Sequence, residues 1–412
     1  MGSHHHEIAV KEEKFVFSSK LRNITFALMG LGIVGMAYGL MTDAHGFWAN
    51  FLLGNWYFMG AAMAATLFVF VMSATNAAWS IGFKRIAEAM AGYMPIAFVG
   101  FLIILLGMAM HWNHVYHWTH PGIADKFLAD GSLNPEFDEI IAEKVAYLNI
   151  PFMAARAIIA FIAWILFIRA YRRNSLAEDL QGGLKFMKRN KTLAVAFLPI
   201  YAVTWAMACW DFVMSIDTHW YSTIFWMYHF AAAWVTGISI IAIIAILLRR
   251  NGYLQSITEN HMHDIGKFMF AFSIFWTYIW LSQFLLIFYA NIPEEAIYYQ
   301  ERFENFKVLF FVNLFINFVA PFLLLMTRGS KRNDNMMLIV AVLLVVGKYI
   351  DLYQGIMPGA VGAHAHFGIV EIGMFLGFAG LFIFVVARNM TKANLIPMKH
   401  PYLKEYTTHE VM

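Results

Sequence analysis

Charge is scarce in this sequence. Asp, Glu, Lys and Arg make up 13% of its 412 residues, against about a quarter in a soluble protein. Cysteine is scarcer still. Cys209 stands alone, which excludes an internal disulfide, a four-cysteine iron–sulfur site and a Cys-x-x-Cys-His haem attachment. The net charge of +3 is too small to point to nucleic acid. No cleavable signal peptide is evident. The opening MGSHHH partly resembles a vector-derived tag and carries no functional weight.

What is present is apolar: 60% of the residues are hydrophobic and the mean hydropathy is +0.60. Ten apolar stretches, near 24–41, 52–77, 93–111, 150–170, 192–213, 223–248, 268–290, 306–326, 336–355 and 366–388, have the length of about 18 residues that crosses a bilayer. Backbone polar groups cannot stay unpaired in lipid, so each stretch is expected to be a helix. The expected fold is all-α: a polytopic membrane protein with ten transmembrane helices. The spans leave an N-terminal tail (1–23), a membrane domain (24–388) and a C-terminal tail (389–412).

Basic residues alternate between loops. Lys11 to Arg22, Lys84 and Arg85, the run Arg169 to Lys191, Arg249 to Lys267, Arg328 to Arg332 and the C-terminal lysines fall on one side; Lys126, Lys144, Arg302 and Lys307 fall on the other. Basic loops stay in the cytoplasm, so both termini are expected there. Helices 2 and 6 then enter from the same side, which permits helices 2–5 and 6–9 to form a parallel repeat. The one long outer loop contains NPEFDEIIAEKVAYL, which predicts a short amphipathic helix. Pro151 suits the first turn of helix 4.

Ionisable groups inside membrane helices are costly, so each is a functional candidate. These are Arg156, Asp211, His229, Lys348, Asp351 and Glu371, with Asp217, His219 and His366 at helix ends. Nearly all are expected in the outer half. Lys348 and Asp351, three apart, are expected to meet as an ion pair. Asn313 and Asn317, four apart, read as interhelical glue. A plainer reading stands beside each charged site: a buried pair can fix packing and do nothing else.

The stretch HWNHVYHWTHPG (111–122) spaces four histidines by three. On a helix they would fan over half the circumference and could not all face one ion. Bis-histidine haem needs two facing ligands at matched depth; His229 lies well inside a span, and only His366 or His111 could reach it. The interleaved Trp112, Tyr116 and Trp118 suit the headgroup level. The stretch therefore reads as the wet end of helix 3, with a proton-exchanging rim as the sharper alternative.

Three blocks carry a resemblance: DFVMSIDTHWYSTIFWMY (211–228), FWTYIWLSQFLLIFYANIPEE (275–295) and VGKYIDLYQGIMPG (346–359). They resemble the NrfD-like membrane subunits, the polysulfide reductase membrane-subunit family, and most nearly the second such subunit of bacterial alternative complex III. The resemblance implies two four-helix bundles, helices 2–5 and 6–9, flanked by helices 1 and 10. It implies a bacterial inner-membrane location, and a quinol:cytochrome c oxidoreductase whose haem and iron–sulfur clusters sit in partner subunits. Those partners are a multihaem cytochrome c, an iron–sulfur protein, a second NrfD-like subunit and small membrane or lipoprotein subunits, with lipids and a terminal oxidase as further neighbours. No cofactor bound directly to this chain is expected. The menaquinol site belongs to the other NrfD-like subunit, and menaquinone on this chain stays open. The candidates Arg156, Asp211, Asp217, His219, His229, Lys348, Asp351, His366 and Glu371 would then serve proton conduction. Two alternatives remain: a secondary transporter and a purely structural membrane scaffold.

Overall fold

The computed structural model describes residues 10–128, 130–365 and 367–410. Among the described residues, ten helices are long and apolar enough to cross a membrane: α1 Ser19–Thr42, α2 Ala44–Ala74, α3 Ala78–Ala109, α4 Ile150–Gln181, α5 Leu184–Ile216, α6 Phe225–Arg250, α7 Glu259–Ala290, α8 Lys307–Leu324, α9 Asp334–Val361 and α10 Ile369–Met390. Among the described residues the only strand-like features are two isolated bridges, Lys14–Asn394 and Phe127–Leu133. The chain is an all-α polytopic membrane protein.

Packing divides the helices as the fold expectation had it. Contacts run in a ring through α2, α3, α4 and α5, and in a second ring through α6, α7, α8 and α9. α2 joins the two by packing on α6 and α9. Every residue of α2 from Gly46 to Phe70 is buried, so this helix is the pivot of the molecule. α1 rests mainly on α10, which in turn packs on α2 and α3. The α1–α10 seam is built on glycine. A Cβ at Gly32 would lie 2.3 Å from the Gly377 Cα, and one at Gly35 would lie 2.9 Å from the Gly373 Cα. With little hydrophobic drive between helices in lipid, this close approach supplies van der Waals contact.

Helix ends follow local rules. The Asn149 side chain caps α4 by accepting from the Phe152 amide at 3.0 Å, with Pro151 in the first turn. Asp138 caps Glu139–Lys144, the short helix that the sequence predicts in this loop. Gly182 and Gly183 turn α4 into α5 at φ +69° and +83°, where a side chain would be strained.

Several boundaries differ from expectation. α2 starts at Ala44 rather than 52, α4 runs on to Gln181 rather than 170, α5 starts at Leu184 rather than 192, and α7 starts at Glu259 rather than 268. The differences at α3 matter most for the candidate residues. α3 starts at Ala78, not 93, because Ile81–Ala91 is a wholly buried helix whose charges are paired inside the protein. It then breaks at Gly92 and resumes as Met94–Ala109. α3 also ends before His111, which has φ +56°. The next three histidines thus lie beyond α3: His114 and His120 on loop, and His117 at the start of the short 3-10 turn His117–Thr119. His114, His117 and His120 are exposed, while the intervening Val115, Tyr116 and Trp118 are buried.

Ten spans leave both chain ends at one end of the bundle, here the termini end. The tails are not free. The Leu395 amide donates to the Glu13 carbonyl at 2.8 Å, and the Glu13 carboxylate accepts from the Leu254 amide at 2.8 Å. Tyr406 is fully buried against Ser256. The opposite side is the far end.

Candidate functional site

Lys348 lies at the middle of α9 and Asp351 one turn further towards the far end. Both are buried, at 1% and 2% exposure. All four helices of the second bundle converge on Asp351. Tyr228 of α6 donates its hydroxyl to Oδ1. Asn313 of α8 donates to the same oxygen at 2.8 Å. Trp276 of α7 donates its indole N–H to Oδ2 at 3.0 Å.

The expected Lys348–Asp351 ion pair does not form. Trp276 stands between the two groups instead. Its edge binds the carboxylate, and its face lies 3.2 Å from Lys348 Nζ. Lys348 Nζ has no hydrogen-bond partner among the described residues, and neither does His229 Nε2. Both residues, with Asp351, line a cavity of ≈ 20 Å³ between α2, α6 and α9, room for about one water. An amine, an imidazole, a phenol and a carboxylate thus share one buried locus.

A second cavity of ≈ 20 Å³ continues from Asp351 towards the far end, lined by Tyr228, Gln283, Tyr298, Tyr299, Arg302 and Gln354 among others. Gln283 Nε2 donates to the Tyr299 hydroxyl at 3.2 Å. Arg302 closes this cavity: it donates to the Gln354 carbonyl at 3.0 Å and to Asp217 at 3.2 Å, and stacks 3.3 Å from the Tyr298 ring centre. Burial pushes the Asp217 carboxyl up, and Arg302 pulls it back only in part. Its side chain is partly exposed, so the polar line reaches the surface there.

The remaining candidates lie apart. Arg156 and Asp211 form a closed, two-bonded pair at 2.9 and 2.8 Å. The Arg156 guanidinium also lies over the Tyr147 and Phe152 rings, 3.9 and 4.2 Å from their centres. His219 sits at the surface, 2.5 Å from Asp138; burial raises the Asp138 carboxyl, but His219 and the Ile141 amide outweigh it and leave it below its ordinary value. Glu371 caps its own helix by accepting from the Gly368 amide at 2.8 Å, and accepts from Asn50 of α2 at 2.9 Å. His366 falls outside the described residues.

Sequence reasoning missed several partners. Tyr228 and Trp276 look like ordinary core aromatics in an apolar run. Asn313 read as glue, yet it binds the central carboxylate. Arg302 had one signal: a lone cation in the acidic segment PEEAIYYQERFEN. The half towards the termini end, expected to be poor in charge, holds a buried network. Arg85 bonds Glu88 at 2.7 Å and also Asp179; Arg172 reaches Glu88; Lys84 bonds Glu178 at 3.2 Å. Ser175 donates to Glu88 at 2.5 Å. These charges neutralise one another, which is why a segment that reads as loop is buried.

Among the described residues no group of three or more His, Cys, Asp or Glu side chains could hold a metal ion. The cavities beside Asp351 are far smaller than the several hundred Å³ of a cofactor pocket. A quinone headgroup does not fit them. No protein-family model matches the chain, and no curated protein matches it.

Proposed function

We propose that the chain is a membrane subunit of a quinol:cytochrome c oxidoreductase of the alternative complex III type, without a redox cofactor of its own. It lies in a bacterial inner membrane with both termini in the cytoplasm. The basic loops support this orientation, and the three sequence blocks support the redox setting. Quinol oxidation yields electrons and protons together. The electrons pass through haem and iron–sulfur clusters of partner subunits, and quinol is oxidised outside the small cavities of this chain.

The observation that carries a proton role is the convergence of α6, α7, α8 and α9 on Asp351, beside the partnerless Lys348 and His229. Asp351 is the exchanging carboxylate. Tyr228 is its hydrogen-bonded neighbour, and Tyr299, Gln283 and Arg302 lead on to Asp217 at the far end. Arg156–Asp211 and Glu371 hold packing.

Co-purification in mild detergent tests the setting. The partners expected are a multihaem cytochrome c, an iron–sulfur protein and a second NrfD-like subunit. The isolated chain should show no redox-active optical bands; a stoichiometric haem spectrum from this chain alone overturns the reading. Substrate-dependent uptake into vesicles holding only this chain would favour a transporter instead.

A further inference from the structure

At the termini end of the second bundle, the close of α6, the start of α7 and the α8–α9 turn surround an open pocket of ≈ 300 Å³. Arg249, Arg250, Arg332, Glu259, Asp334 and Asn335 are among its lining residues. Arg249 is committed: its Nη1 lies 2.7 and 2.8 Å from the two Asp334 oxygens. Arg250 and Arg332 are held differently. Each gives one Nη2 hydrogen bond to a neutral oxygen, of Asn335 at 2.5 Å and of Asn260 at 2.6 Å. Arg332 Nε is buried with no partner among the described residues.

Two guanidinium groups are therefore anchored without being neutralised. A guanidinium has five donors in a planar fork, a geometry matched to phosphate oxygens. The depth is also right. α6 has 26 residues, about 39 Å at 1.5 Å per residue, so its last residues lie beyond a hydrocarbon core of about 30 Å. Arg249 and Arg250 are those last residues. Basic pockets between helices at this level suit anionic headgroups.

We propose that this pocket binds a phosphate group supplied by an anionic phospholipid, held by Arg250 and Arg332. Asp334 is cancelled by Arg249, and Glu259 is the carboxylate that opposes the ligand.

The test is native mass spectrometry of the full chain in detergent, with phosphatidylglycerol, phosphatidylcholine or inorganic phosphate added. Phosphatidylglycerol should be retained in preference to phosphatidylcholine. The double variant Arg250→Gln/Arg332→Gln should bind it about tenfold or more weakly, the loss of charge-assisted hydrogen bonds. Glu259→Gln should bind it more tightly, a gain that misfolding cannot mimic. Added salt should weaken retention. Equal retention by wild type and both variants, or equal retention of the two lipids, overturns the proposal. Displacement of the lipid by inorganic phosphate at comparable concentration overturns the lipid source.

Discussion

Lys348 and Arg156 are both buried basic side chains, and their surroundings predict opposite responses to removal. Arg156 donates two hydrogen bonds to Asp211. Arg156→Ala leaves that carboxylate buried and unpaired, a cost of about 3–5 kcal/mol; thermal unfolding in detergent should show a large loss, and an unchanged midpoint would refute the pairing. Lys348 Nζ makes no hydrogen bond among the described residues, and its contact with the Trp276 face is worth about 2 kcal/mol or slightly more at a desolvated site. Burying an ammonium costs several. Lys348→Met should therefore fold at least as stably as wild type, and a clear drop in its unfolding temperature would contradict the geometry. Positions such as Lys348, Asp351 and His229 were legible because a charge in an apolar run stands out. Their geometry was not. Spacing by three makes an ion pair feasible, but a tryptophan from another helix took the place between them, and no local pattern announces that.

Elements were legible where composition is uniform and illegible where charge is paired internally. The ten spans follow from apolar length alone. The first piece of α3, Ile81–Ala91, does not, since Lys84, Arg85 and Glu88 look solvated until Glu178 and Asp179 of α4 are placed beside them. The α1–α10 seam gives a test at this scale. Gly377→Leu would push side-chain atoms into the Gly32 backbone, an overpacking cost of about 1–3 kcal/mol, and α1, with few other contacts, should become accessible to proteolysis at its ends; unchanged protection would refute the seam. The C-terminal strap gives another. His400 lines a cavity with Lys84, and burial, reinforced by Lys84 and Arg85, pushes its imidazole down to about 3. The released strap would titrate near 6.5. It therefore binds more protons than the docked strap below that pH, so docking weakens as pH falls from about 6.5 towards 3, by up to about 1.4 kcal/mol per unit. Hydrogen exchange across 391–410 should rise on acidification after correction for intrinsic rates. His400→Asn should flatten the response; an equal rise in both would refute the cause.

As a whole, the molecule sets two similar bundles to different uses. Each carries a buried carboxylate on its last helix, Asp211 on α5 and Asp351 on α9. In the first bundle an arginine closes the site. In the second the carboxylate is held by neutral donors and flanked by two small cavities. On the function proposed above, the first holds packing and the second exchanges a proton. That division was outside the reach of the sequence, which ranked both carboxylates alike. The most direct measurement is proton release during quinol oxidation by the assembled complex in liposomes, comparing wild type with Asp351→Asn at equal haem content. Asparagine preserves the shape and can still accept from Tyr228, Asn313 or Trp276, but it cannot titrate. The account predicts normal assembly with proton release per electron clearly reduced. Assembly, turnover and proton release all equal to wild type would contradict it.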